Sequence, residues 1–235
     1  MNNVLLIFVN IIVTFSLVIL VEKIFKKEGL YAWTSIALIM ANILECQTVG
    51  LFNGFTSTCG NVLFASVFLS TDIMSEKYGK EYSKKAIKLA VFSMIAFIII
   101  MQIGLLFTPD ETDFAHESMN TLFSLNLRIS ISSIVMFFIS NNLDIFLFEK
   151  IKKKVPDKLW LRNNIATIVS NVLENYFFIF FAFVGLYDVP TMLNIATTIS
   201  VVEIVIALFD TPFLYLSKKI DYDIKNTLWC DVNPN

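Results

Sequence analysis

Residues 77–117 read KYGKEYSKKAIKLAVFSMIAFIIIMQIGLLFTPDETDFAHE, and this stretch decides the class of fold. It opens on five lysines, Lys77, Lys80, Lys84, Lys85 and Lys88, continues through an apolar run over 86–106, and closes on an acidic segment holding Asp110, Glu111, Asp113 and Glu117. A run of about 20 mostly apolar residues is long enough to cross a bilayer as a helix. Basic residues stay on the cytoplasmic side, so lysines on one flank alone also orient the segment.

The rest of the chain repeats this arrangement. Seventeen of the eighteen Lys and Arg residues fall into four clusters: Lys23 to Lys27, Lys77 to Lys88, Lys150 to Arg162 and Lys218 to Lys225. The clusters occupy every second gap between apolar runs, and only Arg128 departs from the pattern. Seven candidate spans follow, over 3–21, 31–49, 60–75, 86–106, 127–148, 165–186 and 193–215, with six as the other count. Odd parity places the amino terminus outside and the carboxyl terminus in the cytoplasm. In the first run the lysines follow the apolar stretch, the reverse of a secretory signal, so it reads as a retained span.

With 56% hydrophobic and 16% charged residues and a mean hydropathy of +0.70, the chain does not read as a water-soluble domain. The expectation is an all-α, polytopic membrane bundle forming one integral membrane domain over 1–235, multi-pass in a plasma membrane of the bacterial cell-membrane type. Continuous apolar runs favour helices over barrel strands, which alternate over about ten residues. The net charge of −2 says little, because the opposite charges are expected on opposite sides of the membrane, and no nucleic-acid partner is implied; the inner lysines face the lipid bilayer and its headgroups. Cys46, Cys59 and Cys230 show no metal or disulfide spacing. Trp33, Trp160, Tyr31, Tyr82 and Tyr215 are placed to form an inner aromatic belt.

Ionisable groups within the spans call for a partner or a purpose, since each costs about 2.5–3.5 kcal/mol at the bilayer centre. On the sixth span Thr167, Ser170, Asn171, Glu174 and Phe178 share one face. They offer a polar heteroaromatic ligand hydroxyl, amide, carboxylate and aromatic groups, or else form a helix–helix seam. On the fifth, Arg128, Ser132, Met136, Ser140 and Asp144 recur every four residues beside Asn141. Arg128 is placed either to snorkel or to hold a ligand edge. Asn42, Glu45 and Gln47 add polarity to the second span. Ala196, Ser200, Glu203, Ala207 and Asp210 line the seventh, where packing around a buried ion pair is at least as good a reading. Asp72 and Glu76 are i, i+4 carboxylates, with Lys80 as an ordinary helix-surface partner for Glu76. A single histidine, His116, excludes the usual zinc-hydrolase sets, and no phosphate loop or nucleophile elbow occurs. Neither a cofactor, a metal nor a catalytic residue is expected, which points away from an enzyme.

Three blocks then point to a family. Thr71-Asp72-Ile73-Met74-Ser75-Glu76-Lys77-Tyr78-Gly79-Lys80, Leu127-Arg128-Ile129 and Leu159-Trp160-Leu161-Arg162-Asn163-Asn164 resemble, in order and spacing, the queuosine precursor transporter family, also called the vitamin uptake transporter family. The resemblance extends from Asn42 to Phe183. It implies uptake of a 7-deazaguanine nucleobase (queuine, or its aminomethyl or cyano precursor) for salvage into transfer RNA. It further implies substrate-binding roles for Asn42, Asp72, Glu76 and Arg128. Asn171 and Glu174 stand where the family often has Gln and Asp. Gln47 replaces an expected Lys and Glu45 is an added acid, which favours a substrate carrying a positive charge. Asn141, Asn164 and Phe178 complete the candidate set, and Phe177 or Phe178 would stack on the base. Transport would run either by proton coupling, for instance through Glu174, or by facilitated diffusion with metabolic trapping. The other readings are a substrate-capture subunit served by a separate energy-coupling ATPase module, with homo-oligomers also open, and an intramembrane metal enzyme using Asp72 and Glu76.

Overall fold

The computed structural model describes residues 3–50, 56–123 and 127–220, with side chains at 56, 57 and 127–130 outside the description. The chain is a helical bundle: α1 (Asn3–Leu44), a short antiparallel pair β1 (Thr48–Gly50) and β2 (Thr56–Thr58), α2 (Asn61–Lys77), α3 (Lys80–Leu105), α4 (His116–Phe123), α5 (Leu127–Lys154), α6 (Leu159–Phe183), α7 (Val189–Leu208) and α8 (Thr211–Lys218). By length and composition, five units among the described residues are able to cross a membrane: α1, α3, Ile131–Lys154 of α5, α6, and α7 with α8.

α1 is long enough for two crossings and is broken at Lys26, whose φ of 55° and ψ of −136° are non-helical. A Cβ on Gly29 would stand 2.7 Å from the Val21 carbonyl oxygen, whereas eight residues of unbroken helix separate positions by about 12 Å. The chain therefore turns sharply here into limbs 3–25 and 27–44, at the break anticipated between residues 21 and 31. At its far end α1 stops at Leu44, and residues 48–50 pair as a strand instead of extending the second span. The seventh span is also divided, by the non-α residues Phe209 and Asp210 between α7 and α8.

α2 is the axis of the molecule. Fourteen of its 17 residues are buried, and it packs on α1, α3, α5, α7 and α8. It faces protein instead of lipid, which is why it tolerates Ser66, Ser70, Thr71, Asp72 and Ser75. Hydrogen bonds tie it to its neighbours: the Trp33 indole donates to Ser66 Oγ at 3.0 Å, Thr34 and Ser70 hydroxyls meet at 3.0 Å, and Ser75 and Ser83 at 2.8 Å. Trp33 is thus an internal strut, whereas Trp160 and Tyr82 remain exposed at the lysine-rich end as a belt requires. Gly79, at φ 100°, makes the tight turn into α3.

The outer faces are apolar. On α6, Ile165, Val169, Leu173, Phe177, Phe180 and Phe181 are exposed while Thr167, Ser170, Asn171 and Asn175 are buried, the inside-out pattern of a helix between lipid and a polar interior. Outside the spans, Asp113 accepts the amides of Ala115 (2.6 Å) and His116 (2.9 Å) and caps α4. These bonds hold its carboxyl below the usual range. Asp188 caps α7 in the same way through Thr191.

At the lysine-rich end, Glu76 pairs with Arg162, with Lys152 at 3.0 Å and with Lys218 at 3.5 Å, instead of with Lys80. Lys77 meets Glu22 of α1 at 2.5 Å. These contacts join the ends of α1, α2, α5, α6 and α8 at one face.

Candidate functional site

A cavity of about 470 Å³ lies between α1, α2, α5, α6 and α7, toward the end opposite the ion-pair cluster, where Cys46 and Tyr187 border it. Its size is that of a small-molecule site. Three carboxylates enter it from three helices: Glu45 at the end of α1, Glu174 on α6 and Glu203 on α7. Each has one oxygen held. Thr58 Oγ1 donates to Glu45 Oε1 at 2.7 Å, Ser140 Oγ to Glu174 Oε2 at 2.5 Å, and Asn175 Nδ2 to Glu203 Oε2 at 2.6 Å. The second oxygen of each keeps acceptor capacity for a ligand. No Lys, Arg or His lines the cavity among the described residues.

The remaining walls suit a flat molecule. Phe64 and Phe68 project from α2, and Phe178 and Phe183 from α6, with Phe178 and Phe183 edge to face at 6.3 Å and Phe183 stacked with Tyr187 at 5.4 Å. Asn42, Asn61, Asn171 and Asn175 supply amides. Asn61 sits at the start of α2, directly after Gly60, and a Cβ on Gly60 would come within 2.6 Å of the Ala41 carbonyl and 2.7 Å of Glu45 Oε1. Glycine lets α2 begin against α1 at this point, and that approach sets the cavity's rim.

Of the residues singled out in the sequence, Asn42, Glu45, Asn171, Glu174 and Phe178 come together at the cavity. Gln47, Asp72, Glu76, Asn141 and Asn164 do not line it. Gln47 is exposed in the turn after α1, and Asn164 bridges to Thr211 of α8 at 2.8 Å. Asn141 is buried and donates to Phe137 O of its own helix. Asp72 is fully buried beneath the cavity and Glu76 belongs to the ion-pair cluster. The Arg128 side chain lies outside the described residues. Phe177 faces outward and stacks on Phe181 at 6.3 Å, so only Phe178 of the two aromatic candidates reaches the cavity. Glu203, for which the sequence left packing and ligand contact both open, enters the cavity, as do Asn61, Asn175 and the α2 phenylalanines. The i, i+4 relation of Asn171 and Asn175 and the isolated Glu203 in an apolar helix were the available signals. Cys46 and Cys59 are free thiols; Cys230 lies outside the described residues.

Lipid-facing apolar helices around an internal, polar and aromatic cavity define a multi-pass membrane protein of the solute-carrier kind. Comparison with known proteins gives the family. Residues 58–217 match the family described as "Putative vitamin uptake transporter". A Bacillus subtilis protein named "Probable queuosine precursor transporter" is 34% identical over 211 residues, covering 89% of this chain and 92% of that protein. A Haemophilus influenzae protein of the same name is 26% identical over 142 residues, covering 60% of this chain and 58% of that protein. The chain belongs to the vitamin uptake transporter family. No solved structure matches it.

Proposed function

We propose that this protein carries a queuosine precursor, a 7-deazaguanine base with a cationic side arm, across the bacterial cell membrane into the cytoplasm. The observation that carries the reading is the cavity lining: Glu45, Glu174 and Glu203 with no basic side chain among the described residues, between aromatic walls. A cationic arm gives these carboxyl groups a charged donor that a neutral base lacks, and each charge-assisted hydrogen bond is worth about twice a neutral one. The phenylalanines stack on the ring faces while the asparagines read the edges. Queuine and the aminomethyl base, both amines, are therefore preferred over the cyano base.

The basic clusters support a topology with seven crossings, counting both limbs of α1 and the buried α2, the amino terminus outside and the carboxyl terminus inside. In that orientation the cavity belongs to the outer half and the Glu76 ion pairs close the cytoplasmic end, an outward-facing arrangement for alternating access.

Thermal unfolding of detergent-purified protein with queuine, the aminomethyl base, the cyano base, guanine and adenine tests the reading. A ligand bound to the folded state stabilises it by about 2.7 kcal/mol at a hundredfold excess over Kd. Stabilisation by the two amines at concentrations where the cyano base has no effect is expected. Equal response to all three deazaguanines removes the role given to the carboxylates, and no response to any base removes the substrate. Copurification with ATPase subunits required for uptake would replace the self-contained carrier by a capture subunit.

A further inference from the structure

One helical turn below the cavity floor, a second polar site is built from residues that the substrate site does not use. On α2 the cavity wall ends at Phe68, and Asp72 follows four residues on. On α5, Ser140, which holds Glu174, is followed four residues on by Asp144. On α6, Asn171 lines the cavity and Thr167 stands one turn nearer the ion pairs. Four residues of helix advance by about 6 Å, so three helices place Asp72, Asp144 and Thr167 at one level. All three are 0% exposed.

The Asp72 and Asp144 carboxyl groups lie within hydrogen-bonding reach of each other. None of their four oxygens finds a donor, and the fully buried Thr167 hydroxyl, which faces Asp144, has no other partner. The ion pairs of the described residues include neither carboxylate. The charged groups acting on the pair are Asp210, at the α7–α8 junction, and Arg162 of α6. Arg162 is engaged by Glu76 and by the Pro156 carbonyl at 2.6 Å. On the α1 side Glu22 pairs with Lys77, at the end of α2 and more than a turn from Asp72; α3 presents the Ser83 hydroxyl to the Thr71 carbonyl.

Two carboxylates in contact in a dry interior do not both stay ionised; a shared proton supplies the missing donor. No group of three acidic, His or Cys side chains among the described residues is arranged to hold a metal ion, and a proton shared between two carboxyl groups needs no third ligand. We propose that the Asp72–Asp144 pair, with Thr167, is a proton-binding site that couples movement of the base to a proton gradient. This deepens the transport reading above and rests on it for the identity of the driven solute. The shared proton holds α2 against α5 and keeps the cytoplasmic end closed. Its loss toward Asp210, whose Oδ2 has no partner, leaves two like charges that push these helices apart. One proton taken from the outer side is thereby released on the inner side per cycle, with no covalent change.

The test uses the full chain in proteoliposomes with the membrane potential clamped, labelled queuine outside and an interior-alkaline pH step of one unit. At one proton per base the wild type should accumulate queuine about tenfold. Asp144→Asn, and independently Asp72→Asn, should still bind queuine and exchange it against internal queuine but accumulate none. Accumulation by both variants equal to wild type, or accumulation that follows a sodium gradient and ignores pH, overturns the proposal. If wild type neither binds nor exchanges queuine, the substrate reading fails by itself. The infrared carbonyl band of a protonated carboxylic acid then decides the proton site: present in wild type and lost in Asp144→Asn supports it, absent from wild type overturns it.

Discussion

Replacing Glu76 by Gln should be the most damaging single change at the lysine-rich end. Glu76 faces three cations that differ in burial: the Arg162 side chain is 1% exposed, Lys152 30% and Lys218 55%. The two lysines retain water, and each such pair is worth about 0–1 kcal/mol. Arg162 has no such refuge. Stripping a buried charge of its partner costs about 3–5 kcal/mol. Here the lower end applies, because Arg162 keeps its bond to Pro156 O and its place over the Phe148 ring at 5.2 Å. Arg162→Met should cost less, about 1–2 kcal/mol, because Glu76 retains two lysines and the site keeps an apolar side chain of similar reach. Equilibrium unfolding in mixed micelles measures both, and the double variant should lie close to Arg162→Met alone. Arg162→Met costing more than Glu76→Gln, or strict additivity of the two, would refute the reasoning that Glu76 serves chiefly to neutralise a buried guanidinium.

Gly60→Ala should destabilise the protein by about 1–3 kcal/mol through overpacking, since the new methyl meets the Ala41 carbonyl at 2.6 Å; unchanged thermal unfolding would show that α2 shifts freely along α1. Phe178→Ala should weaken queuine binding by about 1–3 kcal/mol if the ring stacks on the base, while Phe177→Ala should leave affinity unchanged, as titration calorimetry would report. Glu203→Gln should lower affinity for the aminomethyl base by about tenfold or more, the range of a hydrogen bond to a charged group, and should leave cyano-base affinity untouched. A parallel loss for both ligands would indicate that Glu203 acts by packing.

The helical class and the division of α1 near Lys26 were legible because both follow from one-dimensional quantities, apolar run length and charge position. The inward face of α6 was legible because helical periodicity puts Thr167, Ser170, Asn171 and Glu174 on one side. Its partners were not, since Asn171 and Phe178 read alike as seam or site until Glu203, held by Asn175, is placed opposite. Periodicity also misplaced Glu76. Spacing offers Lys80 as its neighbour, but three cations from α5, α6 and α8 converge on it across more than seventy residues of chain.

By itself, the sequence determined that this protein is a membrane helical bundle, and its family, because lipid imposes a length and the Thr71–Lys80 and Leu159–Asn164 blocks persist as strings. Only the tertiary structure decided that Asp72 lies beneath the cavity while Glu45, Glu174 and Glu203 share it. A carboxylate's role depends on which helix faces it and on whether water or another carboxylate fills the space between, and neither is written in the residue's own neighbourhood along the chain.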